Sequence, residues 1–143
     1  LHVLGAIERA QLPRDYFVAI GRALRRARLY GNAIVTMLGT VGHPDMAAEV
    51  ADLLARLQGA EWVLSIAVFG DEVVLSLRAT RPELNAGQVI QQLVAGGGSA
   101  GGHGTAAGGR IRFSGSPTSA QNRFARRFAE IMGFSPSDGK PLI

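Results

Sequence analysis

The chain contains no cysteine among its 143 residues. Disulfide bonds and cysteine-based metal sites are therefore excluded, and a reducing cytoplasm is the expected compartment. No apolar run reaches the length of about 18 residues that a membrane-spanning helix needs, and no basic segment precedes an apolar one at the start. We therefore expect no membrane partner and no signal peptide. Because the first residue is Leu1 rather than methionine, we expect the sequence to be part of a longer protein.

Lysine is almost absent as well. Lys140 is the single lysine beside 14 arginines, and the formal net charge is +4. A basic balance favours anionic partners such as nucleic acids or nucleotides. A GC-rich genome also produces many arginines, alanines and glycines. The positions of the arginines must decide between these two readings.

Groupings of residues that carry out catalysis are missing too. The 11 Asp and Glu residues are scattered, and no pair of them has a histidine at the spacing of a two-metal phosphoesterase. His43 lies close to Asp45, but Pro44 and Asp45 are explained by the start of a helix. The sequence therefore indicates binding rather than catalysis, with no catalytic residue and no metal ligand in this chain.

Hydrophobic periodicity predicts alternating helices and strands. Apolar residues recur every three or four positions in segments that begin near residues 14, 45, 86 and 117, which predicts four helices. Strand patterns cover 33–41, 61–69, 73–80 and 110–113, and the second is apolar on both faces, as in a central strand. The turn at 70–71 makes its flanking strands antiparallel, whereas helical crossovers favour parallel neighbours. We therefore expect an α/β fold with a mixed central sheet of about four to five strands flanked by helices.

Three of the predicted helices have an assigned core face, and Asn85 is the predicted N-cap of the helix that begins near residue 86. The apolar stripes are Phe17, Ile20, Leu24 and Ala27; Met46, Val50, Leu53 and Leu57; and Phe124, Phe128 and Ile131. Arg123, Arg126 and Arg127 lie largely off the last stripe. Compared with the arginines of the first predicted helix, these three arginines are the better candidate for an electrostatic patch, because they follow closely after the glycine-rich residues 96–109.

Residues 96–109 are the most informative segment, with eight glycines in fourteen positions and His103 as the one large side chain. Glycine is costly to order, so the run is either a flexible tether or a place where backbone approaches a ligand closely. It lies between a predicted helix and a predicted strand of one small core, which favours a phosphate or nucleotide loop. Arg78 ends the preceding strand on the same face as Ser76, so Arg78 and His103 are candidates to flank one anion.

The same residues carry a resemblance. A Ser-x-Arg strand at 74–78 is followed by Gly-Gly-His-Gly-Thr-Ala-Ala-Gly-Gly at 101–109, in which His103 lies 25 residues after Arg78. This pattern resembles the C-terminal substrate-binding (DHH-associated) domain of the DHH phosphoesterase superfamily, which includes RecJ-like exonucleases, oligoribonucleases (nanoRNases) with nucleotide 3′-phosphatase activity, and cyclic-dinucleotide phosphodiesterases. Ser99-Ala100 departs from the family pattern, because it splits the glycine run and leaves two glycines before His103.

The resemblance implies a division of labour. Residues 1–32 would be a connector and helix from an N-terminal DHH catalytic domain that holds Mn²⁺, and residues 33–143 the substrate-binding domain with its glycine-rich loop at 96–109. No cofactor would bind to this chain itself. The implied substrate-binding residues are Ser76, Arg78, Gly101, Gly102, His103, Gly104, Thr105, Ala106 and Ala107.

We therefore expect a substrate-recognition domain of a Mn²⁺-dependent hydrolase, a phosphodiesterase or phosphatase, that acts on short RNA or DNA oligonucleotides or on 3′,5′-bisphosphonucleotides. A homodimer is compatible with this reading. The alternative is a stand-alone RNA- or tRNA-binding module like that of alanyl-tRNA synthetases. Few aromatic residues are free to stack on bases, which argues against this alternative.

Overall fold

The computed structural model describes residues 11–143. Within that range there are four α-helices: α1 (Arg14–Arg26), α2 (Met46–Leu54), α3 (Ala86–Leu93) and α4 (Pro117–Met132). The strands are β1 (Arg28–Tyr30), β2 (Ala33–Thr40), β3 (Trp62–Phe69), β4 (Glu72–Ala79), β5 (Ser99–Gly102), β6 (Ala106–Arg112) and β7 (Lys140–Pro141). Short 3₁₀ helices cover Pro82–Leu84 and Pro136–Asp138.

The strands form one mixed sheet in the order β5-β6-β4-β3-β2-β1-β7. Strands β2 and β3 are parallel, and every other neighbouring pair is antiparallel. The predicted α/β class and mixed sheet are confirmed, but the sheet has seven strands rather than four or five. The additional strands β1, β5 and β7 have only two to four residues each, which is too short for an alternating pattern to be recognised.

The sheet separates two apolar cores. Leu64 and Ile66 of β3 face α3 and α4, whereas Val63 and Ala67 of the same strand face α1 and α2. These four side chains are at most 1% exposed, which confirms the prediction of a central strand. Strand β4 divides in the same way, because Leu75 packs in the first core and Val74 in the second.

Two apolar side chains assigned to the core lie outside it. Phe17 is 61% exposed, and the residues of α1 that are buried are Ala19 and Ala23. Small alanine side chains let α1 approach β2 closely, which rotates Phe17 towards solvent. Helix α2 ends at Leu54, so Leu57 falls in the following turn and is 37% exposed. Both assignments to the core were wrong.

The segment predicted as a connector contributes to the sheet where it is described. Helix α1 packs on the second core, and β1 pairs with β2 through Leu29 and Ile34. The first ten residues of that predicted connector lie outside the described range. In the described part of the chain, no helix is long and apolar enough to cross a membrane.

Candidate functional site

The glycine run forms most of a β-hairpin. Strand β5 pairs antiparallel with β6, with Gly101 opposite Gly108 and Gly102 opposite Ala107. Strand β6 continues the ladder to β4, where Ser76 lies opposite Gly108. The prediction of one loop over 96–109 is therefore wrong, since only 96–98 and 103–105 connect elements. Ladder hydrogen bonds tie the run into the sheet, which is not how a flexible tether behaves.

Several glycines are required by packing within the protein. A Cβ atom on Gly109 would lie 2.9 Å from Cγ1 of Val94, and one on Gly104 would lie 2.7 Å from the carbonyl oxygen of Pro82. Real Cβ atoms do not approach other atoms this closely. By contrast, a Cβ on Gly101 would meet no atom within 4 Å. Gly104 and Gly109 are therefore required because other parts of the protein pack against them, whereas Gly101 faces open space.

An open cleft of about 510 Å³ lies on the α2 side of the hairpin. Ser76, Gly108 and Gly101 occupy one row across three adjacent strands and form part of its floor. The loop before α2 and the first turn of that helix form a wall, with Asp45 in it. Because two floor positions are glycines, the floor is flat there and its backbone is exposed to a ligand.

Arg110 supplies positive charge at one end of the cleft. Its Nη1 donates to Oε1 of Glu72 at 3.4 Å, and the two side chains are 43% and 29% exposed. A solvent-exposed ion pair of this kind contributes little to stability. The arginine is therefore available to an anionic ligand. The N-terminus of α2 borders the same cleft, but the carboxylate of its N-cap residue Asp45 offsets the partial positive charge of the helix end.

The turn that carries His103 is fixed by its backbone. The N–H of His103 donates to the carbonyl of Ala106 at 2.9 Å, and the carbonyls of His103 and Gly104 accept from Gly87 and Ala86, both at 2.9 Å. The turn thus satisfies the first N–H groups of α3, which a helix leaves without partners. These amides are therefore occupied and do not form an anion site.

The imidazole of His103 is exposed but oriented. The N–H of Thr105 donates to Nδ1 at 3.3 Å, and the hydroxyl of Thr105 lies 3.4 Å from the same atom. A neutral imidazole that accepts at Nδ1 carries its proton on Nε2. The ring therefore presents an Nε2–H donor that no residue of the turn uses.

Arg78 lies one strand away from that turn. It is opposite Ala106 in the β4–β6 ladder, and Ala106 accepts the hydrogen bond from His103. Its Nε donates to Oδ1 of Asp52 at 2.6 Å, and its Nη1 donates to the carbonyl of Leu77 at 2.9 Å. Two of its five donor hydrogens are thus occupied, and they hold the guanidinium in one place.

The predicted site residues fall into three groups. Ser76 and Gly101 line the cleft, Gly102 to Thr105 form or flank the turn, and Arg78 and Ala106 pair beside it. Ala107 is 5% exposed and belongs to the core on the opposite face, so its side chain cannot touch a ligand. Sequence reasoning missed most of the residues that line the cleft, among them Asp45, Ser99, Gly108 and Arg110. Strand alternation in β5 and β6 was an available signal for the last three.

Potential metal ligands are dispersed. Within residues 11–143, no group of three or more His, Asp or Glu side chains is placed to hold a metal ion. His43 and Asp45 line different cavities, because His43 borders a separate pocket of about 190 Å³ beside Tyr16 and Arg22. The described residues do not fit a Mn²⁺ centre.

These features define an α/β domain in which a glycine-rich hairpin forms one side of an open cleft. Residues 31–132 match the DHHA1 domain, which is more than half of the chain. The chain therefore belongs to the DHHA1 domain family. An uncharacterized protein of Methanocaldococcus jannaschii, MJ1633, is 26% identical over 110 residues, which are 76% of this chain and 22% of that protein.

Solved structures share the fold at low sequence identity. An exopolyphosphatase-related protein from Bacteroides fragilis has a TM-score of 0.61 and 15% identity, over 86% of this chain and 36% of that one. The C-Ala domain of Aquifex aeolicus alanyl-tRNA synthetase has a TM-score of 0.54 and 17% identity, over 71% and 96%. The pGpG-specific phosphodiesterase PggH of Vibrio cholerae has a TM-score of 0.52 and 13% identity, over 85% and 40%. The chain thus spans less than half of the exopolyphosphatase-related protein and of the phosphodiesterase, and 22% of MJ1633.

Proposed function

We propose that this chain is the substrate-recognition domain of a larger DHH-type phosphodiesterase or phosphatase. It binds the phosphate of a short oligonucleotide or a 3′,5′-bisphosphonucleotide. The observation that carries the proposal is the placement of two prepared donors, Arg78 and His103, on either side of Ala106 at one end of the glycine hairpin. Membership of the DHHA1 family supports it.

Each part of the site has a chemical task in this proposal. The guanidinium of Arg78 retains donors on Nη2 after it has bonded Asp52 and Leu77, and Nε2–H of His103 supplies another. Both suit phosphate oxygens, and bonds to a charged acceptor are the stronger kind. The flat floor at Gly101 and Gly108 leaves room for a ribose or a base to lie against backbone.

Catalysis belongs to polypeptide outside this chain in our proposal. The described residues offer no metal-binding group, so we derive no step through a metal ion, and Mn²⁺ dependence and a cytoplasmic location stay predictions. Phosphoryl transfer depends mainly on positioning and on stabilisation of charge. A domain that fixes the terminal nucleotide can therefore control the rate without reacting.

Calorimetric titration of this chain with a dinucleotide tests the site. A hydrogen bond to a charged group is worth about 1.5–3 kcal/mol, so Arg78→Ala and His103→Ala should each weaken binding roughly tenfold or more. Arg25→Ala is the matched control, because Arg25 is an exposed arginine on α1. Equal affinities for the wild type and both site variants would refute the assignment.

A second function is favoured by one observation. The C-Ala domain of an alanyl-tRNA synthetase is covered over 96% of its length, so a fold of this size also occurs outside phosphoesterases. An RNA-binding module would bind a folded tRNA more tightly than a dinucleotide, and binding would not depend on Arg78. Titration with tRNA in parallel separates the two functions.

A further inference from the structure

A second basic cavity lies on the opposite side of the sheet from the cleft. This cavity, here called the arginine pocket, has a volume of about 270 Å³. Its lining includes Gly96, Gly97, Arg112, Arg123 and Arg127. The site proposed above uses none of these residues.

The two arginines of α4 are held in place at the arginine pocket. The guanidinium carbons of Arg123 and Arg127 lie 5.2 and 5.4 Å from the centroid of the same ring, that of Phe124. Nη1 of Arg127 also donates to the carbonyl of Leu93 at 2.8 Å. These contacts leave most of the guanidinium donors free. Arg126, predicted to share one patch with them, instead borders a different hollow beside Tyr30 and Phe134.

The positive charge of the arginine pocket is poorly balanced. Among the described residues, the ion pairs join Arg78, Arg81, Arg110 and Arg112 to acidic partners, and none uses an arginine of α4. Arg112 lies 3.8 Å from Asp71, and both side chains are more than two-thirds exposed, so this pair neutralises little charge. Three neighbouring cations repel one another, and a bound anion relieves that repulsion.

The arginine pocket and the cleft lie on opposite faces of the sheet, close to the sheet edge where β5 begins at Ser99 opposite Arg110. Ser99 and Arg110 line the cleft, whereas Gly97 and Arg112 line the pocket. Strand β6 runs from Ala106, beside the His103 turn, to Arg112. Six residue steps along a strand span about 20 Å. At about 3.4 Å per phosphate in a stacked strand, this length corresponds to roughly six nucleotides.

We infer that the arginine pocket binds a backbone phosphate of an oligonucleotide whose terminal nucleotide occupies the cleft. This inference rests on the proposed function and makes the substrate class more specific. The ligand is a single strand of at least about six nucleotides that follows β6 and then passes around the edge of the sheet beside Ser99 to the α4 side, and the terminal nucleotide alone does not reach the pocket. Contacts at the pocket are to phosphate and do not depend on base sequence.

Fluorescence anisotropy with a dinucleotide and with an RNA of about eight nucleotides tests the inference. Arg123→Ala should raise Kd for the longer RNA roughly tenfold and reduce the slope of log K against log salt by about 0.7, as expected for one lost phosphate contact to a single strand. Kd for the dinucleotide should not change. Arg126→Ala is the control, because it removes an exposed arginine of the same helix that lies outside the pocket.

Other outcomes separate the two proposals. Equal effects of Arg123→Ala on both ligands, or no effect on either, would overturn the inference about the pocket. If Arg123→Ala weakens binding of the longer RNA but Arg78→Ala changes the affinity for neither ligand, the cleft does not bind the terminal nucleotide. That result would also refute the strand path, which depends on the cleft. Tighter binding of an inorganic polyphosphate of equal length would overturn the assignment to an oligonucleotide. Arg123→Gln removes the charge and keeps a polar side chain, which checks that the effect is not a loss of folding.

Discussion

Asp52 has a testable role as the residue that positions Arg78. The two side chains are joined at 2.6 Å, and they are 50% and 18% exposed, respectively. Ion pairs with this much solvent contact contribute about 0.2–1 kcal/mol to folding. We therefore expect Asp52→Ala and Asp52→Asn to lower the free energy of unfolding by less than about 1 kcal/mol, so any larger change in affinity reports on the site.

Two opposing effects on affinity follow from the loss of Asp52. The first is that Arg78 must then be ordered by the ligand, which costs about 0.5–1.5 kcal/mol for one long side chain. The second is that a negative charge disappears beside an anionic ligand, which is worth about 0.5 kcal/mol at a separation of about 8 Å in a water-like dielectric. The asparagine variant isolates the second effect, because its Oδ1 still accepts from Nε of Arg78. The alanine variant combines both.

The comparison of these two variants is therefore the decisive measurement. In titrations with a dinucleotide, we expect Asp52→Asn to bind about twofold more tightly than the wild type. We expect Asp52→Ala to bind roughly two- to tenfold more weakly than Asp52→Asn. Equal Kd values for the two variants would show that the carboxylate does not position Arg78. The same equality in an Arg78→Ala background is the expected control result, because no guanidinium remains to be positioned.

Further predictions concern the hairpin and the contact between α1 and α2. Gly101→Ala should leave the melting temperature nearly unchanged and weaken nucleotide binding, because the new methyl group enters the cleft; Gly109→Ala should instead cost about 1–3 kcal/mol of stability, because its Cβ would lie 2.9 Å from Val94. Equal losses of stability in thermal melts of the two variants would contradict this contrast. Burial is the largest cause that raises the pKa of Tyr16, and the hydrogen bond to Glu49 and the negative charge of Glu49 raise it further. Folding therefore favours the neutral phenol. The resulting contribution to the free energy of unfolding is fully present below the unfolded pKa of about 10 and is lost as pH rises through the folded pKa. Chemical denaturation at increasing pH should accordingly show a steeper loss of stability in the wild type than in Tyr16→Phe above about pH 10, and parallel losses would refute it.

The central strands were predictable because burial leaves a local pattern. In β3, consecutive side chains are apolar on both faces, and Leu64 and Val63 indeed pack in opposite cores. The N-cap at Asn85 was predictable for a similar reason, since its side chain accepts from the N–H of Gln88 at 3.1 Å. Both signals lie within a few residues along the chain.

The sheet edges were not predictable because their partners are remote in sequence. Strand β7 consists of Lys140 and Pro141, and Lys140 pairs with Leu29 of β1. No two-residue segment carries a periodic pattern, and the pairing is decided only when the whole sheet is assembled. The exposure of Phe17 has a related cause, because the alanine face of α1 fits β2 more closely than a phenylalanine could.

In the glycine hairpin, the sequence pattern is local but its meaning depends on strand pairing. The register of that pairing determines which side of the sheet each glycine faces. Gly109 and Gly108 are neighbours in sequence, yet Gly109 is buried towards Val94 and Gly108 faces the cleft beside Ser76. Composition alone could not distinguish a glycine that faces the cleft from one against which the protein's own chain packs. Once Ser76 is known to lie opposite Gly108, alternation assigns Ala107, Gly109 and Ile111 to the core and places Gly108 and Arg110 on the side of the cleft. The surface that this hairpin presents to the cleft is therefore every second residue of β6 rather than a continuous motif.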